Sequence, residues 1–501
     1  MTFNLTSAPW IPVRWLDGRS SSVGLSELFA RAPEISDLAV PPHERVSILR
    51  LLVCIAQSSH GAPATPEDWE GWDTGLEAAV AAYLAKWKDH FELMGDGPRF
   101  LQSPVGSAPK KGSDGFPLAQ LVFHFAAGNN PTLFDQSGDD KDPRVLESPF
   151  IARAVLTYQN HFVGGSLASK VKGNGPALKA LHSFLIGRSL RETIVLNCID
   201  QETLAPGKLG KPVWEGGSKN DYLARLVPLP CKLWLVDEGM RVRIGEGTRY
   251  DEYDTSSMRE TSTTIVIRRR AGTESKVLLR ASAGKGIWRD LHCIAVLQKG
   301  ELHAPLIFRS HIDAQDDRQV SFWCGELIKD IKHAKIIDAA ESVFTVPFLL
   351  FTPAGQNRYQ AGVEFSESVA VLLIRAVKNY ADALKPKPSR PQKDVAKDYP
   401  LIPSAKRHFW NSLDQQSGIL LDLLKGLGTA ADPMGSATFG EAGDPWTRAV
   451  RAAAAAAYEH CCPRQNPRQL QAYAAGLRVL RPLPKSTPAK PRKTAPAATD
   501  L

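Results

Sequence analysis

The sequence lacks any stretch close to the roughly 20 consecutive apolar residues that a membrane-spanning helix requires. The segment Met1–Arg14 also lacks the basic start and apolar stretch of a secretory signal. Both absences exclude the usual signatures of membrane and secreted proteins. We therefore expect a cytoplasmic protein.

Motifs for metal binding and catalysis are missing as well. The 7 cysteines include no C-x-x-C pair, and most lie in apolar contexts, which favours reduced core thiols over disulfides or a zinc site. The sequence has no H-E-x-x-H and no G-x-S-x-G, and Gly207–Lys211 lacks the spacing of a P-loop. We interpret His303 and His311 as surface or core residues of a strand region, and Asp139, Asp140 and Asp142 as a solvated loop. We expect no metal, no cofactor and no enzymatic activity.

Length and charge give weaker indications. The 501 residues are enough for two or three domains. The net charge of +8 and the pI near 9.0 favour a polyanionic partner only if the positive residues cluster.

The patterns of apolar and turn residues predict an α+β fold. The D-G step at Asp17–Gly18, between two extended runs, predicts a hairpin. Helical spacing or composition predicts helices at Leu25–Ala30, Glu44–Gln57, Leu76–Phe91, 146–160 and 176–200. Short β-rich runs predict strands at Cys231–Val236, Thr263–Arg269, Lys276–Arg280 and Ala304–Phe308.

The last part of the chain has a helical pattern instead. Four amphipathic segments separated by proline-containing loops predict an antiparallel four-helix bundle, with helices at Glu367–Ala383, Pro403–Leu427, Pro445–His460 and Pro467–Leu480. We therefore expect a large mixed N-terminal domain of helices and short antiparallel sheets (1–360), the bundle (361–481) and a disordered Pro/Lys-rich tail (482–501).

Glycine and asparagine concentrate between Gly128 and Gly175, in G-N-N-P-T-L-F-D-Q (Gly128–Gln136) and H-F-V-G-G-S-L-A-S-K-V-K-G-N-G (His161–Gly175). Glycine lets a backbone approach another polymer closely, and Lys170, Lys172 and Lys179 could meet phosphates. On residues alone, a plain solvent loop between two helices is the favoured interpretation of this segment. The basic run Ile267–Arg270 is likewise either a nucleic-acid stripe or an edge strand protected by charge.

Several segments of this chain resemble the CasA family, the large subunits of type I-E CRISPR surveillance complexes called Cascade. The resemblance is carried by F-N-L-T-S-A-P-W-I-P-V-R (Phe3–Arg14), L-L-V-C-I-A-Q (Leu51–Gln57), Gly128–Gln136, the glycine loop and G-R-S-L-R-E-T-I-V-L-N (Gly187–Asn197). It implies a subunit that recognises the protospacer-adjacent motif in double-stranded DNA, begins strand separation and supports recruitment of a helicase–nuclease. The implied partners are CRISPR RNA, target DNA, other Cascade subunits and that helicase–nuclease.

The resemblance also implies roles for individual residues. Leu133, Phe134 and Asp135 match the loop that contacts the RNA handle, where a ring can stack on a splayed base. Val163, Gly164, Gly165 and Ser166 match the loop whose backbone faces the motif in the minor groove, and a basic minor-groove contact aligns with Arg249. Lys170 and Lys172 are expected to bind phosphate.

The family further uses a glutamine wedge on a hairpin tip. If P-L-I-F-R-S-H (Pro305–His311) is a strand, Gln315 takes the wedge position and Gln319 is the second choice. The acidic Asp313, Asp316 and Asp317 around Gln315 are unexpected beside DNA. The alternative to this whole interpretation is a scaffold or interaction subunit that does not read DNA.

Overall fold

The chain combines small antiparallel sheets with helices, and the α+β class predicted from the sequence is confirmed. The computed structural model describes residues 3–105, 115–123, 145–164, 171, 173–205, 208–250, 260–270, 273–297, 304–312, 319–329, 336–384, 399–424, 439–441 and 443–481. None of their helices is long and apolar enough to cross a bilayer.

The strands form four small sheets. They are β1 (Ile11–Trp15), β2 (Ser20–Val23), β3 (Ile35–Leu38), β4 (Phe116–Pro117), β5 (His182–Leu185), β6 (Cys231–Val236), β7 (Arg241–Glu246), β8 (Ile265–Arg270), β9 (Thr273–Leu278), β10 (Gln319–Lys329) and β11 (Ile336–Pro347). The strand orders are β2-β1-β3, β11-β10-β5, β4-β7-β6 and β8-β9.

The helices vary from single turns to 32 residues. They are α1 (Leu25–Ala30), α2 (Pro42–His60), α3 (Leu76–Lys86), α4 (Ser148–His161), α5 (Leu190–Leu196), α6 (Gln201–Leu204), α7 (Tyr222–Leu226), α8 (Leu291–Ile294), α9 (Leu306–His311), α10 (Pro353–Leu384), α11 (Leu401–Asp414), α12 (Gly418–Asp422), α13 (Pro445–Cys461) and α14 (Pro467–Leu480).

The predicted N-terminal hairpin is present. Strands β1 and β2 pair antiparallel, with Ile11 opposite Val23. Gly18 in the turn has a φ of +87°, a conformation that glycine adopts without the penalty of a Cβ. Alternation along β1 buries Ile11, Val13 and Trp15 on one face, which is why the pattern was readable from the sequence.

Helix α2 is the centre of the N-terminal part. It contacts α3, α4, α5 and α7 and is buried continuously from Val46 to Gln57. Most of these residues are apolar, but Arg50 and Gln57 are buried among them. A buried arginine requires partners for its charge and its donors, and these partners define the candidate site below.

Two predictions of element type are wrong, and the predicted single helix Pro403–Leu427 is divided into α11 and α12. Within 176–200, predicted as helix, residues His182–Leu185 form β5, because this run is buried on both faces and shows no alternation. The run Ala304–Phe308, predicted as a strand, lies in α9 instead, so His311 is helical. Short apolar runs do not distinguish strand from helix, and here Pro305 precedes the first helical residue, a favourable place for proline.

The chain divides into two compact units. The first comprises 1–283, 297–313 and 320–345, and the second comprises 284–296, 314–319 and 346–501. In the second unit α10 contacts α11, α13 and α14, and the Trp446 indole nitrogen donates to the Gly362 carbonyl at 2.9 Å. Helix α10 runs without interruption through position 360; the predicted boundaries 1–360, 361–481 and 482–501 and the four-helix topology stay predictions.

Candidate nucleic-acid interface

The residues predicted to contact nucleic acid are only partly described by the structure. Val163, Gly164, Arg249 and Gln319 are placed. The others lie outside the described residues: Leu133, Phe134, Asp135, Gly165, Ser166, Lys170, Lys172 and Gln315. Lys179, counted with the basic residues of the loop, has a φ of +69° and is half-buried.

The glycine loop has a closely packed base, which we call the loop stem (residues 160–164 and 173–177). Val163 is only 4% exposed and pairs with Asn174 across the stem. A Cβ on Gly164 would lie 1.8 Å from the Gly173 carbonyl oxygen, and one on Gly175 would lie 2.2 Å from the Asn160 carbonyl oxygen. The described glycines therefore allow the two legs of the loop to touch backbone to backbone.

Hydrogen bonds join the two legs directly. The Gly175 amide donates to the Phe162 carbonyl at 2.8 Å, and the Ala177 amide donates to the Asn160 carbonyl at 3.0 Å. Residues 165–172 connect these legs in the sequence. Any contact made through Val163 would have to use its backbone, because its side chain is buried.

A run of five buried polar residues lies next to the stem. We call Glu260–Thr264, with the sequence E-T-S-T-T, the polar spine. All five are 5% exposed or less. The Ser262 carbonyl accepts from the Ser183 amide at 2.7 Å, and the Thr261 carbonyl accepts from the Ile307 amide at 3.2 Å. The polar spine thus connects strand β5 and helix α9.

Arg50 links one leg of the stem to the polar spine. Its guanidinium forms a buried ion pair with Glu260, and its Nε donates to Asn160 Oδ1 at 3.0 Å and to the Leu226 carbonyl at 3.1 Å. A fourth contact goes to the Arg225 carbonyl. Buried charges are tolerated when they are paired and hydrogen-bonded in this way.

His182 links the other leg to the polar spine. Its Nε2 lies 2.9 Å from the Ala177 carbonyl oxygen and its Nδ1 lies 2.8 Å from Ser262 Oγ. Because a carbonyl only accepts, Nε2 carries the proton in the neutral ring and Nδ1 accepts from the serine hydroxyl. Burial lowers the pKa of His182 to about 4; the positive charge of Arg50 also lowers it, and Glu260 acts in the opposite direction.

The neighbouring His161, at the end of α4, is also buried and neutral. Burial holds its pKa well below the usual range, and His182 adds to that effect. Its Nδ1 lies 3.3 Å from the Thr157 carbonyl. Among the described residues beneath the loop stem, the buried Arg50–Glu260 ion pair therefore lies beside the neutral side chains of Asn160, His182 and Ser262.

Arg249 lies on the surface just after β7. Its guanidinium is 62% exposed and is 3.3 Å from Glu246, itself 68% exposed. The flanking residues are held: the Thr248 amide donates to the Leu229 carbonyl at 2.9 Å, and Tyr250 Oη accepts from the Leu229 amide at 3.1 Å. An exposed ion pair of this kind contributes little, so Arg249 can exchange Glu246 for a phosphate or a base edge.

The basis for placing the wedge at Gln315 is wrong, because the residues before it form helix α9 and not a strand. Gln319 is exposed and begins β10. The long hairpin of this region is β10–β11, whose side chains meet at Ser321 with Thr345 and at Phe322 with Phe344. Residues 330–335, D-I-K-H-A-K, connect its strands.

Two kinds of reactive group can be compared among the described residues, namely metal-ligating side chains and thiols. None of the described residues forms a group of three or more ligating side chains that could hold a metal ion. Burial raises the pKa of the Cys324 and Cys293 thiols to about 12 and that of Cys54 further still, which keeps them protonated and poorly nucleophilic.

Sequence reasoning missed Arg50, His182 and the polar spine. Arg50 lies in a helix that was predicted, but its helical spacing gives no sign that the charge is buried. The E-T-S-T-T run looks like a polar linker, because its burial depends on partners that are distant in the sequence. Tyr222 Oη lies 3.1 Å from Thr261 Oγ1, 39 positions away, and Arg50 pairs with Glu260, 210 positions away.

Comparison with known proteins identifies one family over most of the chain. The family model described as CRISPR-associated protein Cse1 matches residues 4–457. A relative from Thermus thermophilus, named CRISPR-associated protein CasA/Cse1, is 26% identical over 407 residues, which cover 76% of this chain and 78% of the relative.

Solved structures share the fold. Cse1 from Acidimicrobium ferrooxidans is 21% identical with a TM-score of 0.73, covering 96% of this chain and 97% of its own. Thermobifida fusca Cse1 is 16% identical with a TM-score of 0.74 and covers the same shares. A chain of a CRISPR RNA-guided surveillance complex is 17% identical with a TM-score of 0.72, covering 96% of this chain and 99% of its own. At these identities the likeness concerns the fold.

Proposed function

We infer, since this chain belongs to the family of CRISPR-associated protein Cse1, that it is the non-enzymatic large subunit of a type I-E CRISPR RNA-guided surveillance complex. In this role it recognises the protospacer-adjacent motif in double-stranded DNA and starts strand separation. It then supports recruitment of the helicase–nuclease. Its partners are the CRISPR RNA, the target DNA, the other subunits of the complex and that helicase–nuclease.

The construction of the loop stem is the observation that carries this proposal. The two legs touch backbone to backbone at Gly164 and Gly173, and Gly165 and Ser166 follow directly in the sequence. The minor groove is only about 6 Å wide, so a backbone of this kind can enter where large side chains cannot. We assign motif reading to Val163–Ser166 with Arg249 as a basic contact.

Two further contacts complete the proposed interface. Leu133, Phe134 and Asp135 contact the 5′ handle of the CRISPR RNA, where the ring of Phe134 stacks on a splayed base. Lys170 and Lys172 contact phosphates, which dominate affinity and make it strongly dependent on salt.

Strand separation needs an element that enters the duplex beside the motif. The β10–β11 hairpin supports an assignment to residues 330–335, because they join two long paired strands. Lys332, His333 and Lys335 there suit DNA better than the acidic residues around Gln315. Gln315 and Gln319 stay as alternative positions. Unstacking a base step costs a few kcal/mol, which formation of the guide heteroduplex offsets.

The proposal is tested by a gel shift with the guide-RNA complex assembled with and without this chain. The targets are duplexes with a matched protospacer that differ only in the adjacent motif. We expect motif-dependent binding only when the chain is present. Charge reversal at Lys170 and Lys172 should weaken binding to all duplexes alike and make its salt dependence shallower.

Equal binding with and without the chain would contradict DNA reading. The alternative function, a scaffold or interaction subunit, predicts that the chain joins the complex with no effect of the motif. Normal motif discrimination in a Gly165→Trp variant would show that the glycine loop does not read the motif.

A further inference from the structure

Beneath the candidate interface, both legs of the loop stem are bonded to one buried structure. Asn160 and Ala177 face each other across the stem and are joined by the Ala177 amide. Asn160 reaches Glu260 through Arg50, and Ala177 reaches Ser262 through His182. Glu260 and Ser262 are two residues apart in the polar spine.

We propose that Arg50 and His182 are positioning residues, which hold the two legs of the loop stem in a fixed arrangement with the polar spine. The expected effect of these two residues on motif discrimination rests on the proposed function. We call this arrangement of Arg50, His182 and the polar spine the clamp, and hydrogen exchange at the loop stem measures it without nucleic acid.

The polar spine is suited to this role because of where it begins. Glu260 lies eleven positions after Arg249 in the sequence, and Tyr250, next to Arg249, is anchored by its hydroxyl to the Leu229 amide. Arg50 also binds the carbonyls of Arg225 and Leu226, and Arg225 lies over the Tyr250 ring at 5.6 Å. The same guanidinium therefore contacts residues that precede and follow Arg249 in the sequence, and one leg of the loop stem.

Stability alone does not account for such a centre. Buried ion pairs are often replaceable by apolar residues of similar volume without loss of stability. What an apolar core cannot supply is directional bonding to specified backbone carbonyls, such as those of Ala177, Arg225 and Leu226. Directional bonds fix the height and angle of a loop, which shape readout of a groove requires.

Two substitutions of one residue separate the clamp from general packing. In His182→Gln the side-chain amide nitrogen can take the place of Nε2 and still donate to the Ala177 carbonyl. In His182→Asn the shorter side chain can take the place of Nδ1 and meet Ser262, but it does not reach Ala177. Both variants replace a buried imidazole by a smaller neutral amide, so each controls for the other.

The first measurement is hydrogen exchange of the full chain, followed at the Gly175 and Ala177 amides that join the legs. Losing one buried hydrogen bond should accelerate exchange by about tenfold in His182→Asn, with a change within about twofold in His182→Gln. Amides of α3, in the same unit, serve as the reference and should not change. Equal exchange in the two variants would overturn the clamp.

The second measurement is the ratio of affinities for duplexes with and without the motif, using the assembled guide-RNA complex. We expect His182→Asn to lower this ratio by about tenfold and His182→Gln to keep it within about twofold. If the wild-type protein binds duplexes with and without the motif equally well, while exchange is accelerated in His182→Asn, the proposed function is rejected and the clamp is supported. A normal ratio in His182→Asn with accelerated exchange would reject the link to motif reading.

If His182→Asn does not fold, the other leg provides the same test. Asn160→Leu removes the acceptor that Arg50 uses on that leg while retaining the side-chain volume. It should accelerate exchange at the same two amides by about tenfold, and unchanged exchange there would count against the clamp.

Discussion

The carbonyl oxygen of Gly173 occupies the space that a side chain on Gly164 would need, since a Cβ on Gly164 would lie 1.8 Å from it. Gly164 is therefore fixed by contact with the opposite leg of the loop stem and not by a turn conformation. Its expected function and its structural role can be separated by a substitution that only adds a methyl group.

Gly164→Ala should lower the free energy of unfolding by about 1–3 kcal/mol, the usual cost of forcing extra volume into a packed region. Gly97→Ala is the control, because Gly97 has open space around its Cβ position. Urea unfolding of both variants provides the measurement. Equal midpoints would show that the stem tolerates a wider spacing of its legs.

Arg50→Met should destabilise the chain much more than loss of a surface charge. Removing one partner of a buried ion pair costs about 3–5 kcal/mol, because Glu260 is left buried and unpaired. Adding Glu260→Leu to Arg50→Met should restore much of that loss. Arg19→Ala, which breaks an exposed pair with Asp17, should leave the urea midpoint unchanged. A double variant no more stable than Arg50→Met would disprove the pairing argument.

Acid should destabilise the first unit through its buried histidines. Burial lowers the pKa of His182 and His311 to about 4 in the folded chain, below the ordinary value near 6.5. The unfolded chain therefore binds more protons between these values, so the stabilisation is complete above about pH 6.5 and is lost as the pH falls toward 4.

His182→Gln removes one of these titrating groups. Between pH 7.5 and pH 5.0 it should lose about 2 kcal/mol less of its free energy of unfolding than the wild type does. Urea titrations at the two pH values measure this difference. An identical loss in both proteins would show that His182 does not titrate as its burial predicts.

Arg249→Ala should weaken binding of motif-containing duplex by about tenfold, as expected for loss of one basic groove contact. Lys232→Ala is the matched control, since Lys232 is exposed on the neighbouring strand β6 and should have little effect. The measurement is duplex affinity of the assembled complex at fixed salt. Equal effects of the two substitutions would show that Arg249 contributes to binding only through general electrostatic attraction.

Opening of the first base pairs should depend on residues 330–335 more than on Gln315 or Gln319. His333→Ala should slow opening, followed by a fluorescent base beside the motif, while initial docking is kept. Slow opening in Gln315→Ala or Gln319→Ala, with a wild-type rate in His333→Ala, would show that one of the glutamines is the wedge residue.

Local patterns were sufficient for much of the fold. The D-G turn, the alternation in β1 and the apolar helical spacing of α2 are set by neighbouring residues, and the structure has all three. The motifs between Phe3 and Asn197 were also sufficient to indicate the family. By contrast β5 and α9 were misread, because runs of three or four apolar residues fit a strand and a helix equally well.

The sequence by itself determined the α+β class, the family and the glycine-rich character of the loop. Only the tertiary structure decided that Gly164 and Gly175 pack the loop stem, and that Arg50, His182 and Glu260–Thr264 meet beneath it. The physical reason is that burial of a polar residue depends on partners brought from distant positions. Arg50 and Glu260 are 210 positions apart, and no local pattern records that pairing.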